Sequence, residues 1–258
     1  MTDFNLQGTS LKEIGKRFGT DKATRHNYCD VYEPLFESKR DEKIALLEIG
    51  AGPTGASHKM WKEYFSQGEV YCMEAFYGGE YTVKSSILEE CGVHALVGNQ
   101  LKREDLLRVG SALAGELYDI IIDDGAHMFD AIQLSLGVLF PYLKSGGLYV
   151  VEDLHAARKR GGKYTNEKYK DSTLQNTNEH VKPYGPSGEI VQHVNDYTLL
   201  ESFEVLEVTR QWPSFVLSPV ESNYLAKHIL EYQFYDDMAN LDVHGDNVPC
   251  ELCVIRKK

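Results

Sequence analysis

Two apolar runs in this chain, residues 120–122 and 148–151, each lead directly into a pair of adjacent carboxylates. The four acidic residues are Asp123, Asp124, Glu152 and Asp153. Because the carboxyl ends of neighbouring parallel strands meet at the edge of an α/β sheet where ligands bind, we expect these carboxylates to gather there. Like charges that lie close together need a cation, so the sequence indicates a divalent metal site.

The order of the strand and helix patterns constrains the fold. Strand-like runs and helical patterns alternate from residue 44 to residue 151. The strand-like runs cover residues 44–49, 70–73, 95–97, 118–122 and 148–151, and the helical patterns between them cover 57–65, 81–91, 104–113 and 131–143. Such alternation is typical of βαβ units. The predicted class is α/β, with a doubly wound, mostly parallel sheet and helices on both faces.

A glycine-rich turn follows the first predicted strand. It contains Gly50, Gly52 and Gly55 and is preceded by Glu48. The absence of side chains at such a turn allows a ligand to approach the backbone. Glu74 ends the second predicted strand, where a carboxylate can accept hydrogen bonds from a ribose. Nicotinamide dinucleotides and S-adenosylmethionine both carry that ribose, so these residues alone leave both cofactors open.

The third predicted strand leads into Gly98, Asn99 and Gln100. The side-chain amides of Asn99 and Gln100 offer donors and acceptors suited to the edge of an adenine. The alternative interpretation is an ordinary polar turn at the end of a strand.

The carboxylates point to a more specific chemistry. Mg²⁺ prefers oxygen ligands, and Asp124, Glu152 and Asp153 would supply three of them. His127 follows Asp124 closely, and because histidine titrates near neutral pH it could take the proton of a metal-bound hydroxyl. The alternative is that Asp124 and Asp153 cap helices and that His127 faces solvent. Lysine or arginine side chains between the carboxylates would count against the metal mechanism.

Composition excludes several classes of partner. A net charge of -12 and an isoelectric point near 5.2 argue against nucleic acid or an anionic membrane as the main partner. The first residues lack the pattern of a signal peptide, and no run approaches the ~20 apolar residues of a membrane span. Five cysteines without framework spacing fit reduced thiols. We therefore expect a cytoplasmic location.

Several motifs follow one another along the chain. They are Gly19-Thr-Asp-Lys22 with His26 and Tyr28, Tyr32-Glu-Pro-Leu-Phe36, Leu47-Glu-Ile-Gly50, Gly55-Ala-Ser57 with Met60 and Trp61, Asp123-Asp-Gly-Ala-His127, and residues 146–153. In this order they resemble the metal-dependent sugar O-methyltransferases of antibiotic biosynthesis, a group of class I S-adenosylmethionine-dependent methyltransferases of macrocin, mycinamicin and rhamnosyl-tetracenomycin type. The similarity covers residues 10 to 155 and fades beyond them.

The resemblance implies a seven-stranded sheet, S-adenosyl-L-methionine and Mg²⁺ or another divalent cation as cofactors, and a glycoside or sugar as substrate. It implies His127 as the general base with Asp124 as a catalytic partner, and Asp124, Glu152 and Asp153 as metal ligands. The implied cofactor contacts are Thr20, Lys22, Tyr28, Glu48, Gly50, Gly52, Ser57, Glu74, Asn99, Gln100 and Asp123. The chain departs from the family at Ala126, where Ser is common, and at Asn99, where Asp is common. Members of the family tend to form homo-oligomers.

We expect one methyltransferase domain over residues 1–258, with four parts. They are an N-terminal helical cap (1–40), a cofactor-binding core (41–155), a substrate or lid loop (156–188) and a C-terminal part with an extra helix (189–258). In the last part, residues 189–200 and 224–238 have helical spacing, and 203–208, 214–217 and 252–255 resemble strands.

Three other functions remain open on the sequence. The same metal chemistry would serve a catechol, a phenol or another chelating hydroxyl instead of a sugar. A non-catalytic cofactor-binding module would keep the fold but lose the base or metal ligands, all of which are present here. A dehydrogenase would bind a nicotinamide dinucleotide in preference to S-adenosylhomocysteine.

Overall fold

The computed structural model describes residues 8–75, 83–127, 129–154, 217–235, 238 and 251–258. None of the helices in these ranges has the length and apolar character needed to cross a membrane. The predicted loop 156–188, helix 189–200 and strand 203–208 lie outside the described residues, as does nearly all of the predicted strand 214–217.

In the described residues, three short α-helices precede the sheet: α1 Leu11–Phe18, α2 Asp21–Thr24 and α3 Tyr28–Phe36. A capping box is present at the start of α1, where the Ser10 hydroxyl accepts from the Glu13 backbone N–H and the Glu13 carboxylate accepts from Ser10. Gly19 ends α1 in the left-handed conformation, with φ 72°. This turn starts the segment that contains α2 and brings it back toward the sheet.

Seven strands form one sheet in the order β3-β2-β1-β4-β5-β7-β6. The strands are β1 Ala45–Ile49, β2 Glu69–Glu74, β3 Val93–Val97, β4 Tyr118–Asp123, β5 Leu143–Val151, β6 Ile229–Tyr235 and β7 Leu252–Lys257. β1 to β5 pair in parallel, and β7 lies antiparallel to both β5 and β6. The doubly wound, mostly parallel sheet predicted from the alternation is confirmed.

Helices cover both faces of the sheet. The other α-helices of the described residues are α4 Ala56–Tyr64, α5 Ser85–Glu90, α6 Arg103–Gly110, α7 Phe129–Leu139 and α8 Pro219–His228. One core joins the sheet to α1, α3 and α4 through residues such as Leu11, Tyr32 and Trp61. The second core joins it to α6, α7 and α8 through Leu106 and Leu225 among others. Burial on both faces explains why every residue of β4 is buried and why three consecutive isoleucines form its centre.

The helix predicted over residues 224–238 is wrong beyond His228. Helix α8 ends there, and Ile229–Tyr235 form strand β6, which pairs with β7. Glu231 and Gln233 alternate with aromatic residues in this segment, a period of two that suits a strand. The segment fits both the helical period and the strand period, and pairing with β7 selects the strand. That pairing depends on residues distant in sequence.

Candidate active site

The parallel pairing of β1, β4 and β5 brings the predicted site residues to one edge. Ile49 lies beside Asp123 in the β1–β4 pair, and Asp123 lies beside Val151 in the β4–β5 pair. The three strands therefore end at the same level, and the residues after them enter adjacent loops. Backbone hydrogen bonds from Asp124 to Ile49 (3.1 Å) and from Glu152 to Asp123 (3.0 Å) hold these loops together. The predicted convergence of the two acidic strand ends is confirmed.

Glycine at the turn after β1 is required for two different reasons. Gly50 has φ 94°, and a Cβ there would lie 2.1 Å from the Asp124 carbonyl oxygen. Gly52 has φ 58°, but a Cβ there would meet no atom within 4 Å. Gly50 thus allows the turn to pack against the acidic loop, whereas the space next to Gly52 is open among the described residues and can admit a ligand.

Lys22 lies among three of the carboxylates. Its side chain is 0% exposed, and Nζ lies 2.5 Å from Asp124 Oδ2, 2.7 Å from Glu152 Oε2 and 3.1 Å from Glu48 Oε1. Burial alone would lower the pKa of this ammonium, but attraction to the three carboxylates outweighs burial and raises the pKa well above its ordinary value. The ammonium form of Lys22 is therefore favoured in this cluster.

Two carboxylates of this group, Glu48 and Glu152, also accept hydrogen bonds from residues other than Lys22. The buried Glu48 carboxylate accepts from Ser57 Oγ (3.0 Å) and Trp61 Nε1 (2.9 Å) through Oε2. The Tyr32 hydroxyl donates to Glu152 Oε1, so both Glu152 oxygens have protein partners. Burial raises the pKa of the Tyr32 hydroxyl well above its ordinary value, which keeps it protonated as a donor. Lys22, Glu48 and Glu152 thus form a buried group with the partly exposed Asp124 at its edge, and we call this group the dry cluster.

A second group is more exposed, and we call it the open group. It consists of Asp124, His127 and Asp153. His127 Nε2 lies 3.7 Å from Asp124 Oδ1 and 3.7 Å from Asp153 Oδ2. The three side chains are 22%, 29% and 18% exposed, respectively, and one potential ligand atom of each lies within 4.8 Å of the others. Two carboxylate oxygens and one imidazole nitrogen are donors that a divalent cation accepts.

The backbone at this second group is strained. His127 has φ 50° and Asp153 has φ 52°, in the left-handed region that residues other than glycine seldom adopt. Such conformations cluster at functional sites, where surrounding contacts hold them in place. Asp153 has one such contact, because the Tyr28 hydroxyl donates to its Oδ1 at 2.6 Å.

Helix α3 supports both groups with two tyrosines four residues apart. Tyr28 and Tyr32 lie on the same face of the helix and donate to Asp153 and Glu152, respectively. Sequence reasoning placed Tyr28 against the cofactor and gave Tyr32 no role. The i, i+4 spacing of two buried tyrosines is the signal that could have identified both as supports for the acidic loop.

The predicted cofactor contacts on β2 and β3 have protein partners in the structure. The Glu74 carboxylate accepts from the backbone N–H groups of Ala51 (3.0 Å) and Ala75 (2.7 Å), so it fixes the glycine turn. Asn99 Oδ1 accepts from the Leu101 N–H. Contacts of Glu74 and Asn99 with a cofactor stay predictions.

Gln100 and Asp123 form a buried link between β3, β4 and α7. Gln100 Nε2 donates to Asp123 Oδ1 (2.7 Å) and Ser135 Oγ (2.8 Å), while its Oε1 accepts from the Ala126 N–H (2.8 Å). Burial raises the pKa of Asp123 to about 6, against the lowering effect of the Gln100 hydrogen bond. Gln100 thus holds the loop that carries His127, and its predicted contact with adenine stays a prediction.

The structure therefore divides the predicted site residues. The dry cluster holds Glu48, Lys22, Ser57 and Glu152. The open group holds His127 and Asp153, and Tyr28 lies beside it. Asp124 belongs to both groups. Thr20 is buried at the start of α2, where its carbonyl accepts from the Thr24 hydroxyl. Lys22 fills the gap between Asp124 and Glu152, which is the arrangement that the sequence analysis set against the metal mechanism, so the geometry weighs against a metal held by those two residues together.

The fold is that of a class I methyltransferase, with acidic residues at the carboxyl edge of its sheet. Among solved structures, a methyltransferase of the mycinamycin biosynthetic pathway, in complex with Mg and SAH, matches with a TM-score of 0.63 and 23% identity over 96% of this chain and 53% of that chain. This likeness confirms the predicted seven-stranded methyltransferase fold.

Curated relatives confirm the resemblance drawn from the motifs. The 8-demethyl-8-alpha-L-rhamnosyl tetracenomycin-C 2'-O-methyltransferase of Streptomyces olivaceus is 36% identical over 153 residues, or 57% of this chain and 38% of that protein. The mycinamicin VI 2''-O-methyltransferase of Micromonospora griseorubida is 31% identical over 154 residues, or 57% of this chain and 36% of that protein. The chain thus spans less than two fifths of the length of these relatives. No family model matches it.

Proposed function

We propose that this chain transfers the methyl group of S-adenosyl-L-methionine to a hydroxyl of a sugar on a glycosylated small molecule, with the help of a divalent cation. The observation that carries the proposal is the group of Asp124, His127 and Asp153 at the carboxyl edge of a methyltransferase sheet, beside the glycine turn after β1. The names of the relatives support the sugar as acceptor.

The open group fits a divalent cation by its donors and its charge. Asp124 and Asp153 would hold the ion through carboxylate oxygens, with His127 beside them, and Lys22 neutralises only one of the charges in the neighbouring cluster. When bound, such an ion acts as a Lewis acid that lowers the pKa of a coordinated hydroxyl and fixes its direction.

His127 is the proposed general base. Its Nε2 faces the two carboxylates and is partly exposed, so a substrate hydroxyl can approach it. The positive charge that the imidazole gains on taking a proton is attracted to Asp124 and Asp153, each 3.7 Å away. The left-handed backbone of His127 is held by the loop that Gln100 fixes, which limits how far the imidazole can move.

The turn after β1 is the proposed place of the methyl donor, which supplies an electrophilic sulfonium methyl when bound. Glu74 keeps the turn in shape through Ala51, and Gly52 leaves room for a ligand. Because Gly50 packs directly on Asp124, the turn and the open group are adjacent. Holding donor and acceptor in that arrangement can contribute on the order of 7 kcal/mol or more to the acceleration.

The test is methyl transfer measured by mass spectrometry, with rhamnosylated and macrolide glycosides offered beside their aglycones, in Mg²⁺ or in chelator. We expect methylated glycoside only, and only with the metal. Methylation of a free phenol or catechol without activity on sugars would move the acceptor to that class. Binding of S-adenosylhomocysteine without turnover on any acceptor would indicate a non-catalytic module, and preference for a nicotinamide dinucleotide in thermal shift would indicate a dehydrogenase.

The acidic net charge of -12 supports a small-molecule partner over nucleic acid or an anionic membrane. A cytoplasmic location and self-association remain predictions, which fractionation and light scattering can check.

A further inference from the structure

The loop that carries His127 rests on the side chain of one residue from another strand end. Gln100 follows β3 and is 7% exposed, and its Oε1 accepts from the Ala126 N–H at 2.8 Å. A Cβ at Gly125 would lie 2.2 Å from the same Oε1, so the loop backbone packs directly on this amide. The two residues that precede His127 in the chain therefore both contact Gln100.

The orientation of the Gln100 amide is determined by its other partners. Its Nε2 donates to Asp123 Oδ1 (2.7 Å) and to Ser135 Oγ (2.8 Å). Because the Ser135 hydroxyl donates its own hydrogen to the Ala131 carbonyl at 2.8 Å, its oxygen accepts from the amide. A flipped amide would place Oε1 against the Asp123 carboxylate and Nε2 against the Ala126 N–H. Only the observed orientation satisfies all three partners, and it uses Oε1 and both hydrogens of Nε2.

The partners that hold the amide lie on rigid parts of the fold. Asp123 is the last residue of β4 and is 1% exposed, and its Oδ2 accepts from the Tyr149 hydroxyl of the neighbouring strand β5 at 3.4 Å. Ser135 is fully buried in the middle of helix α7. A strand end and a helix thus fix the amide, and the amide in turn fixes the backbone of the 124–127 loop. Reacting groups are held in productive geometry by supporting hydrogen bonds of this kind.

We propose that Gln100 is a positioning residue for methyl transfer, which sets the place of the proposed base His127 through Gly125 and Ala126. The proposal rests on the proposed function, because it needs His127 as the base. It gives the side chain of Gln100 a role at the loop after β4, where the sequence pattern suggested a contact with adenine. The predicted contact with the donor is left to the rest of the loop after β3.

A second buried glutamine provides a matched control. Gln133 lies on α7, two residues before Ser135, and is 1% exposed. Within the part of the chain that the structure describes, neither amide atom of Gln133 has a hydrogen-bond partner. Replacing Gln133 removes a buried amide of the same type without removing a hydrogen bond to the loop.

The first measurement separates turnover from donor binding. Gln100→Met keeps the length of the side chain and removes all three hydrogen bonds. We expect kcat at saturating donor to fall on the order of 10²-fold, the cost of a ~1 Å displacement of a reacting group, while the Kd of S-adenosylhomocysteine stays within about threefold of wild type. Gln133→Met should leave both quantities unchanged.

The second measurement follows the loop in the absence of any reaction. Hydrogen exchange of the Ala126 N–H, read by NMR on the full chain, should become at least about tenfold faster in Gln100→Met, because this N–H loses its acceptor. Gln133→Met should not change the exchange rate. Ser135→Ala removes one partner of the amide and keeps the other two, so its exchange rate and its kcat should lie between those of wild type and Gln100→Met. This milder variant decides the question if Gln100→Met does not fold, and thermal unfolding shows which variants are folded.

Three results would overturn the proposal. Weaker binding of S-adenosylhomocysteine with unchanged kcat would assign the Gln100 side chain to the donor site. Unchanged exchange of the Ala126 N–H in folded Gln100→Met would mean that the loop keeps its conformation without the amide. Equal losses in Gln133→Met would mean that the effect is not specific to Gln100. A wild-type chain that transfers no methyl group would refute the proposed function, and the exchange rates would still decide whether Gln100 holds the loop.

Discussion

The two sides of Asp124 use the same residue types for opposite purposes. On one side Glu48 and Glu152 are buried around Lys22, and every oxygen of Glu152 has a protein partner. On the other side Asp153 and His127 are partly exposed, strained in backbone and 3.7 Å apart. Burial and an internal cation make the first side a rigid support, while exposure makes the second side available to ligands. The surroundings of a carboxylate thus determine whether it supports the fold or is available to bind a ligand.

Asp124→Asn should have the largest effect on activity, because Asp124 is the one residue that both sides share. The amide keeps the shape but loses the charge that faces Lys22 and the proposed metal. We expect kcat for methyl transfer to fall on the order of 10⁴-fold, with the response to Mg²⁺ lost, which is the upper end of the cost of one catalytic group. A Mg²⁺ titration of the initial rate measures both. Retention of a normal Mg²⁺ response would show that the two sides do not depend on this carboxylate.

His127→Asn should affect the open side alone. Asparagine tolerates the left-handed backbone, so the substitution removes the imidazole without adding strain. We expect kcat to fall on the order of 10³-fold, as for loss of a general base, with S-adenosylhomocysteine affinity unchanged. His94→Asn is the control, because His94 pairs with the exposed Glu69 on the edge strand β3. Equal losses in the two variants would contradict the role of His127.

How far the sequence predicts this site follows from the range of the interactions involved. Buried strands and their acidic ends are local patterns, and parallel pairing brings them together, so Asp124 and Asp153 could be placed from sequence. The resemblance marked Lys22 only as a cofactor contact. Its position among the carboxylates could not be predicted in the same way, because its burial depends on partners 102 and 130 residues away. In a four-residue helix it resembles any surface lysine.

Two further features could not be predicted from the sequence for the same reason. They are the backbone strain at His127 and the strand after α8. A left-handed φ at a histidine depends on the hydrogen bonds of the surrounding loop, here the contact between Gln100 and Ala126. Strand β6 exists because β7 is available to pair with it. In both places a contact between distant residues overrides the local preference.

Lys22→Met should affect the dry side through stability. The substitution leaves three carboxylates without their shared cation, and breaking a buried ion pair in this way typically costs about 3–5 kcal/mol of the free energy of unfolding. Urea unfolding in chelator measures the loss. Lys12→Met is the matched control, because Lys12 pairs with Asp30 at the surface and should cost less than about 1 kcal/mol. Similar losses for the two lysines would mean that the dry cluster gains little from the ammonium.

The smallest expected effect concerns two tyrosines of α3, each of which contacts a residue on a different side of Asp124. Tyr28 and Tyr32 are both fully buried on α3 and four residues apart, but Tyr28 donates to Asp153 and Tyr32 to Glu152. Removing a hydrogen bond that orients a metal ligand lowers metal affinity by roughly 10-fold, at the lower end for such contacts. Tyr28→Phe should therefore weaken Mn²⁺ binding by about that factor, and Tyr32→Phe should leave it unchanged while lowering stability. If the two phenylalanine variants weakened Mn²⁺ binding equally, the metal would draw on both sides of Asp124, and the division between support and chemistry would be lost.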